Sequence, residues 1–271
     1  MLRIHFALFF MVAMRIDGAA ILVPLGTVGP FAVLAGSTVT NTGSSVVNGN
    51  LGVSPGSAAP GFPPGVVTLP SVMHLANAVA LQAQSDLTTA YNQAAGQPCG
   101  TTLTGQDLGG LTLVSGVYCF SSSAQLTGAL TLDAQGSPNP VFVFQIGTTL
   151  TTASNSSVGF VNGGQGLSVF WQVGTSATLG TTTSFLGNIL ALSSITLNTG
   201  ANIVCGRALA RNEAVTMDTN TIDPTGCAAA SSSSSSSSSG GGEIPEPGTS
   251  AMLGLGLLLA MFGHRRAQLS R

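Results

Sequence analysis

The chain contains no lysine, and charged residues of either sign make up only 6% of its 271 positions. An ordinary globular protein carries about 25%. No basic residue occurs between Gly18 and Gly206. Within the central domain the cations are Arg207 and Arg211, set against Asp86, Asp107, Asp133, Glu213, Asp218 and Asp223. Nucleic-acid binding needs phosphates to be neutralised, so a domain this poor in cations is not expected to bind DNA or RNA. His74 is the only histidine of that domain and reads most simply as a solvated side chain near a helix start. With one histidine and no CxxC pair, no metal site is expected, and no cofactor is implied. Low charge with abundant Ser, Thr and Gly is also a disorder signature, but Val, Ile, Leu and Phe in alternating runs argue for a packed core.

What the chain does have is a repeated phrase: apolar, Thr, Leu or Met, any residue, Thr. It reads Ala177-Thr178-Leu179-Gly180-Thr181, Ile195-Thr196-Leu197-Asn198-Thr199 and Val215-Thr216-Met217-Asp218-Thr219, with a looser copy at Thr148-Thr149-Leu150-Thr151-Thr152. The three clean copies lie 18 and 20 residues apart, which marks one structural unit used repeatedly. Alternation of apolar and Thr positions predicts strands with one face inside and a Thr-bearing face outside.

Four cysteines, Cys99, Cys119, Cys205 and Cys227, lie in the region expected to be exported. An even count in an exported protein suggests disulfides. Cys99–Cys119 and Cys205–Cys227 are the favoured pairs because each closes a local loop of one coil; three connectivities are possible.

Both ends read as address labels. Residues 1–20 carry Arg3, an apolar run from Ile4 to Met14 and small residues at Gly18 and Ala20, the pattern of a secretory signal. A buried N-terminal strand or an uncleaved anchor is the alternative. Residues 229–243 are a Ser- and Gly-rich linker, with unbroken serine from Ser231 to Ser239. Residues 244–271 hold Pro245, Glu246 and Pro247, a hydrophobic helix expected over 251–263, and Arg265 and Arg266. That order resembles the PEP-CTERM sorting signal of Gram-negative bacteria; a plain tail anchor is the alternative. The resemblance implies an exosortase and the export machinery as partners, transient anchoring in the inner membrane, and a final place at the cell surface or outside the cell.

Between the ends, residues 21–228 form one domain. Ser71 follows Pro70 as a helix N-cap, and Val72, Leu75, Ala76, Val79, Ala83, Leu87, Ala90, Tyr91 and Ala94 form one apolar stripe before Gly96 and Pro98. The expected helix therefore spans 71–95. A helix of ~24 residues is about 36 Å long and spans about seven strand layers at ~4.8 Å each. The remaining residues then give roughly 24 per layer. The fold expected is mostly β: a parallel β-helix with this helix alongside.

The stretches Phe31-Ala32-Val33-Leu34-Ala35-Gly36-Ser37 and Asn48-Gly49-Asn50-Leu51-Gly52-Val53-Ser54-Pro55-Gly56 resemble the opening of the DUF3494 family of ice-binding proteins. Val141–Gly147, Val169–Gly174, Gly187–Ala191 and Gly206–Arg211 continue the resemblance in order. It implies a discontinuous right-handed β-helix and adsorption to an ice crystal surface through one flat face. The family's loose Thr, Ala or Gly, any residue, Thr or Asn pattern is met by Thr152, Ser154 and Asn155 and by Thr199, Ala201 and Asn202. It is partly met by Thr181 and Thr183 and by Thr219 and Thr221. Those ten are the expected ice-binding residues; Thr149, Thr178, Thr196 and Thr216 form an alternative row. The domain is expected to act as a monomer and not as an enzyme. Two rivals stay open: a surface adhesin binding polysaccharide, and a polysaccharide lyase built from Glu213, Asp218, Asp223, Arg207 and Arg211.

Overall fold

A computed structural model describes residues 19–227 except Gln165. Residues 1–18 of the signal segment, the Ser/Gly linker and the Pro-Glu-Pro, hydrophobic and Arg elements lie outside the described residues. Among the described residues no helix is long and apolar enough to cross a membrane.

Parallel strands wind into a three-faced β-helix. The Thr phrase sits on a six-stranded sheet. In stacking order its strands are Ala124–Leu126, Leu150–Thr152, Ala177–Leu179, Ile195–Leu197, Val215–Asp218 and Val39–Thr42. The second face carries Gly116–Phe120, Phe142–Ile146 and Val169–Val173, then the latter halves of Ser184–Ala191 and Asn202–Ala210. The third runs through Ala129–Asp133, Ser157–Val161, the first halves of those two long strands, Thr221–Asp223 and Val46–Val47.

The winding is discontinuous. Phe31–Ala35 lies on Asn202–Ala210 with Val33 opposite Ala208, and Val39–Thr42 lies on Val215–Asp218. The N-terminal coils thus stack on the last coil of the chain. The helix returns the chain to the other end, where Thr101–Thr102 pairs with Gly116–Phe120.

The helix covers the second face, whose strands are buried on both sides as their continuous apolar runs require. Ala83, Leu87, Ala90, Tyr91 and Ala94 pack on Leu34, Val117, Val143, Phe170, Leu190 and Leu209. It spans Ala78–Ala95, 18 residues, not 71–95. Asn77, not Ser71, is the cap: its side chain accepts from Ala80 N at 3.0 Å. Met73–Leu75 is a strand pairing with Asn50–Val53, and Ala76, at φ 48°, breaks the chain away from helical geometry. Val72, Leu75 and Val79 are exposed, so the expected stripe is core only from Ala83 onward. An 18-residue helix is about 27 Å long and covers about six layers of ~4.8 Å, in step with the six-stranded Thr sheet.

Inside the coil Tyr118, Phe144, Trp171 and Phe185 stack along the axis, with Phe144 and Trp171 centroids 3.9 Å apart. Both disulfides pair as favoured, Cys99–Cys119 and Cys205–Cys227.

Candidate functional site

The six-stranded sheet holds one register throughout. Gln125 stands opposite Thr151, Thr151 opposite Thr178, Thr178 opposite Thr196, Thr196 opposite Thr216 and Thr216 opposite Thr40. Their neighbours Ala124, Leu126, Leu150, Ala177, Leu179, Ile195, Leu197, Val215 and Met217 point inward and are buried. The outcome is a straight outward row of five threonines and one glutamine. Two residues earlier on each strand a second row runs Ser123, Thr149, Ser176, Ser194, Ala214 and Thr38, since alternation returns the chain to the same face. Ser194 Oγ donates to Ser176 Oγ at 3.0 Å within it. Neither row carries a charged side chain.

The alternative row of the sequence is therefore present for Thr178, Thr196 and Thr216. Thr149 belongs to the second row, and Thr151 takes its place. The looser repeat pairs two residues away from the register its phrase suggests, with Thr151 opposite Thr178.

Beyond this sheet the chain turns a corner onto the third face. Asn155, Thr182, Gly200, Thr219 and Gly43 occupy the left-handed region there, with φ of 59°, 56°, 72°, 56° and 73°. The same backbone bond recurs at four of them: Asn155 N to Thr181 O, Thr182 N to Thr199 O, Gly200 N to Asp218 O and Thr219 N to Thr42 O. Just ahead of the corner stand Ser154, Thr181, Thr199, Asp218 and Thr42. Just inside it stand Ser156, Thr183, Ala201, Asn220 and Ser45, all buried. Just past it, on the third face, stand Ser157, Ser184, Asn202, Thr221 and Val46.

The ten expected ice-binding residues thus divide. Ser154, Thr181 and Thr199 are exposed in one row. Asn155 and Thr219 are corner residues, and Asn202 and Thr221 lie past the corner. Thr152, Thr183 and Ala201 point inward, with 3%, 0% and 0% of their surface exposed, and cannot touch an external crystal. Thr152 occupies the inward position of Leu126, its register partner. Thr219 is displaced because the turn from Thr216 to Thr221 is one residue shorter than that from Thr196 to Asn202, so Asp218 takes the row position of Thr199.

The inner corner row escaped sequence reasoning. Asn220 Nδ2 donates to Asn198 O at 2.9 Å and Ala201 O at 2.8 Å, its Oδ1 accepts from Asp218 N, and its own N donates to Ser45 Oγ. A buried Asn with every polar atom satisfied fixes the turn. The sequence signal for it is a small or polar residue recurring two residues before each third-face apolar position, Val158, Phe185, Ile203, Ile222 and Val47.

The acids and arginines are dispersed. Arg207 is buried and donates to Gly29 O and Asn188 Oδ1; burial pulls its guanidinium down to about 10. The Arg211 guanidinium lies 4.8 Å from the Tyr91 ring centre, and its Nε donates to Thr88. Asp223 accepts from Asn48, Thr225 and Gly226 on the third face. The lyase cluster of the sequence is not assembled among the described residues. Among the described residues no group of His, Cys, Asp and Glu is placed to hold a metal ion.

Residues 33–223 match the Ice-binding-like family. The chain belongs to that family. Residues 243–266 match the PEP-CTERM protein-sorting motif. An ice-binding protein of Nostoc sp. (strain HG1) is 56% identical over 249 residues, 92% of this chain and 88% of that protein. Among solved structures, an ice-binding protein from an Antarctic biological consortium is 47% identical with a TM-score of 0.73, covering 76% of this chain and 92% of its own. Another, from the Antarctic ascomycete Antarctomyces psychrotrophicus, is 40% identical with a TM-score of 0.72, covering 75% and 98%.

Proposed function

We propose that the protein adsorbs to ice through the six-stranded Thr sheet, centred on Thr151, Thr178, Thr196, Thr216 and Thr40 and bordered at the corner by Thr181 and Thr199. The observation that carries this reading is the unbroken register of outward Thr across successive strands. Strands ~4.8 Å apart, with outward residues about 6.6 Å apart along each, make a regular two-dimensional grid that approximates oxygen spacings in an ice plane. Each Thr offers a hydroxyl for hydrogen bonding and a methyl that restricts the water beside it. Its side chain is stiff at χ1, so little freedom is lost on contact. Each contact is weak, and a rigid array adds many. Charges would hold liquid-like hydration, and both rows lack them. Bound molecules then pin the ice front, curve it, lower the local freezing point and block recrystallisation.

The third face is the less suitable surface. Asn202 Oδ1 accepts from Thr221 N, and Asn202 Nδ2 donates to Gly200 O, so its amide is spent internally.

The sorting motif supports export, recognition by an exosortase at Pro245-Glu246-Pro247, passage through the inner membrane with Arg265 and Arg266 on the cytoplasmic side, and a working place outside the cell. The protein works there as a monomer, holding ice or conditioning brine near the cell. Comparison of Thr196→Tyr with Ser184→Tyr tests the choice of face: loss of ice adsorption in the first alone supports the Thr sheet, and loss in the second alone assigns the third face.

A further inference from the structure

The corner row Ser154, Thr181, Thr199, Asp218, Thr42 contains one charged residue, and the hydroxyls of Thr199 and of the adjoining Thr219 are committed to it, whereas Thr42 donates to Met217 O. Thr199 Oγ1 donates to one carboxylate oxygen of Asp218, and Thr219 Oγ1 donates to the other at 3.1 Å. A hydroxyl has a single hydrogen; once that is donated, only lone pairs face outward. A carboxylate likewise accepts only. Thr199, Asp218 and Thr219 therefore form a contiguous stretch with no donor directed to solvent. Charge-assisted bonds of this kind are the stronger ones, so the two rotors do not turn freely. An ice plane offers donors and acceptors alike, and a surface that only accepts can match half of them. The carboxylate also keeps a hydration shell that ice cannot replace. Two strands away the situation is different: the Thr181 hydroxyl makes no hydrogen bond to any described residue and turns to suit either role.

We propose that Asp218 limits the ice-contact surface at this corner, by fixing the hydroxyls of Thr199 and Thr219 as acceptors and by holding liquid-like water over that end of the row. The proposal rests on the ice-adsorption reading and goes beyond it, because it assigns a restraining role to a residue inside the array. The contact area of the wild-type protein is then smaller than its fold allows, and removing one charge enlarges it.

The test compares the purified protein with its Asp218→Asn and Asp218→Thr variants. Asp218→Asn keeps the shape and removes the charge; Asp218→Thr restores the hydroxyl row. Each is assayed for the concentration giving half-maximal coverage of a single ice crystal, beside Thr196→Tyr and with melting curves recorded for all. The proposal expects both Asp218 variants to reach half-coverage at a concentration about two- to five-fold lower than wild type, the scale of one exposed charge. Unchanged or weaker coverage by the variant that retains the wild-type melting curve overturns it. If wild type itself fails to adsorb, the ice reading has failed. If wild type adsorbs and Thr196→Tyr does not, that reading stands whatever the Asp218 variants do. If Asp218→Asn does not fold, Asp218→Thr decides, since a Thr at that row position is what Thr199 and Thr42 already are.

Discussion

Thr152 and Thr183 meet inside the coil, Oγ1 to Oγ1 at 2.9 Å, although neighbouring positions of both segments display hydroxyls to solvent. Thr152 Oγ1 also accepts from Gly180 N, and Thr183 Oγ1 donates to Ala153 O at 3.2 Å. The pair ties two coils together beneath the corner. Replacing either by Val leaves a buried polar group unpartnered, at a cost of about 1–3 kcal/mol. The expected outcome for Thr152→Val is a lower melting temperature with ice adsorption per folded molecule unchanged. Loss of adsorption at full stability would return Thr152 to the contact surface.

The helix cap separates the structure from the simplest sequence reading. Asn77→Ala removes the side-chain bond to Ala80 N and should cost about 1 kcal/mol. Ser71→Ala should leave the thermal transition where it is, because Ser71 precedes a strand and not a helix. Equal effects of the two substitutions would restore the longer helix.

These two cases show what was legible and what was not. The coil period was legible because the clean repeats differ in length by two residues, and the interior alternates without interruption from Ala177 to Leu179 and from Ile195 to Leu197. Between Thr151 and Thr178 the coil is 27 residues long, and the inserted loop hid a two-residue slip that moved Thr152 from the surface to the core. Strand register decides exposure, and similarity of phrase does not fix register. Thr219 was misplaced by a turn one residue short. Ala76 delays the start of the helix through a left-handed conformation that its residue type does not announce. The inner row of Ser156, Thr183, Asn220 and Ser45 was hidden because buried polar residues look like surface ones until their partners are known.

Acid should weaken the domain through its carboxylates. Thr27 N–H and then the Thr27 hydroxyl, with help from Gln82, hold Asp86 below its ordinary 3.8; Asn162 and Gln135 N–H do the same for Asp133. Folding therefore favours the ionised forms. Their stabilisation is present above 3.8 and is lost as pH falls through the folded-state values. Melting temperature should stay level from neutral pH down to about pH 5 and decline below about pH 4. Asp86→Asn should flatten part of that decline and loosen the segment around Thr27; an unchanged acid limb in this variant would contradict the assignment.

Each disulfide closes a loop of about one coil, 20 residues for Cys99–Cys119 and 22 for Cys205–Cys227. Loop-closure entropy at that length corresponds to about 3 kcal/mol per bridge. Cys205→Ser with Cys227→Ser should lower the melting temperature while the surviving folded fraction keeps its adsorption to ice. Adsorption lost ahead of unfolding would mean that the bridge shapes the contact surface itself.

The most direct measurement is ice growth in the presence of the purified protein at micromolar concentration, wild type beside Thr196→Tyr. The wild type is expected to facet single crystals and halt recrystallisation. The tyrosine, standing above the centre of the Thr row, should remove both effects with the thermal transition unchanged. Ice growing in the wild-type solution as it does in buffer, or a Thr196→Tyr protein as active as wild type, would contradict adsorption through the six-stranded Thr sheet.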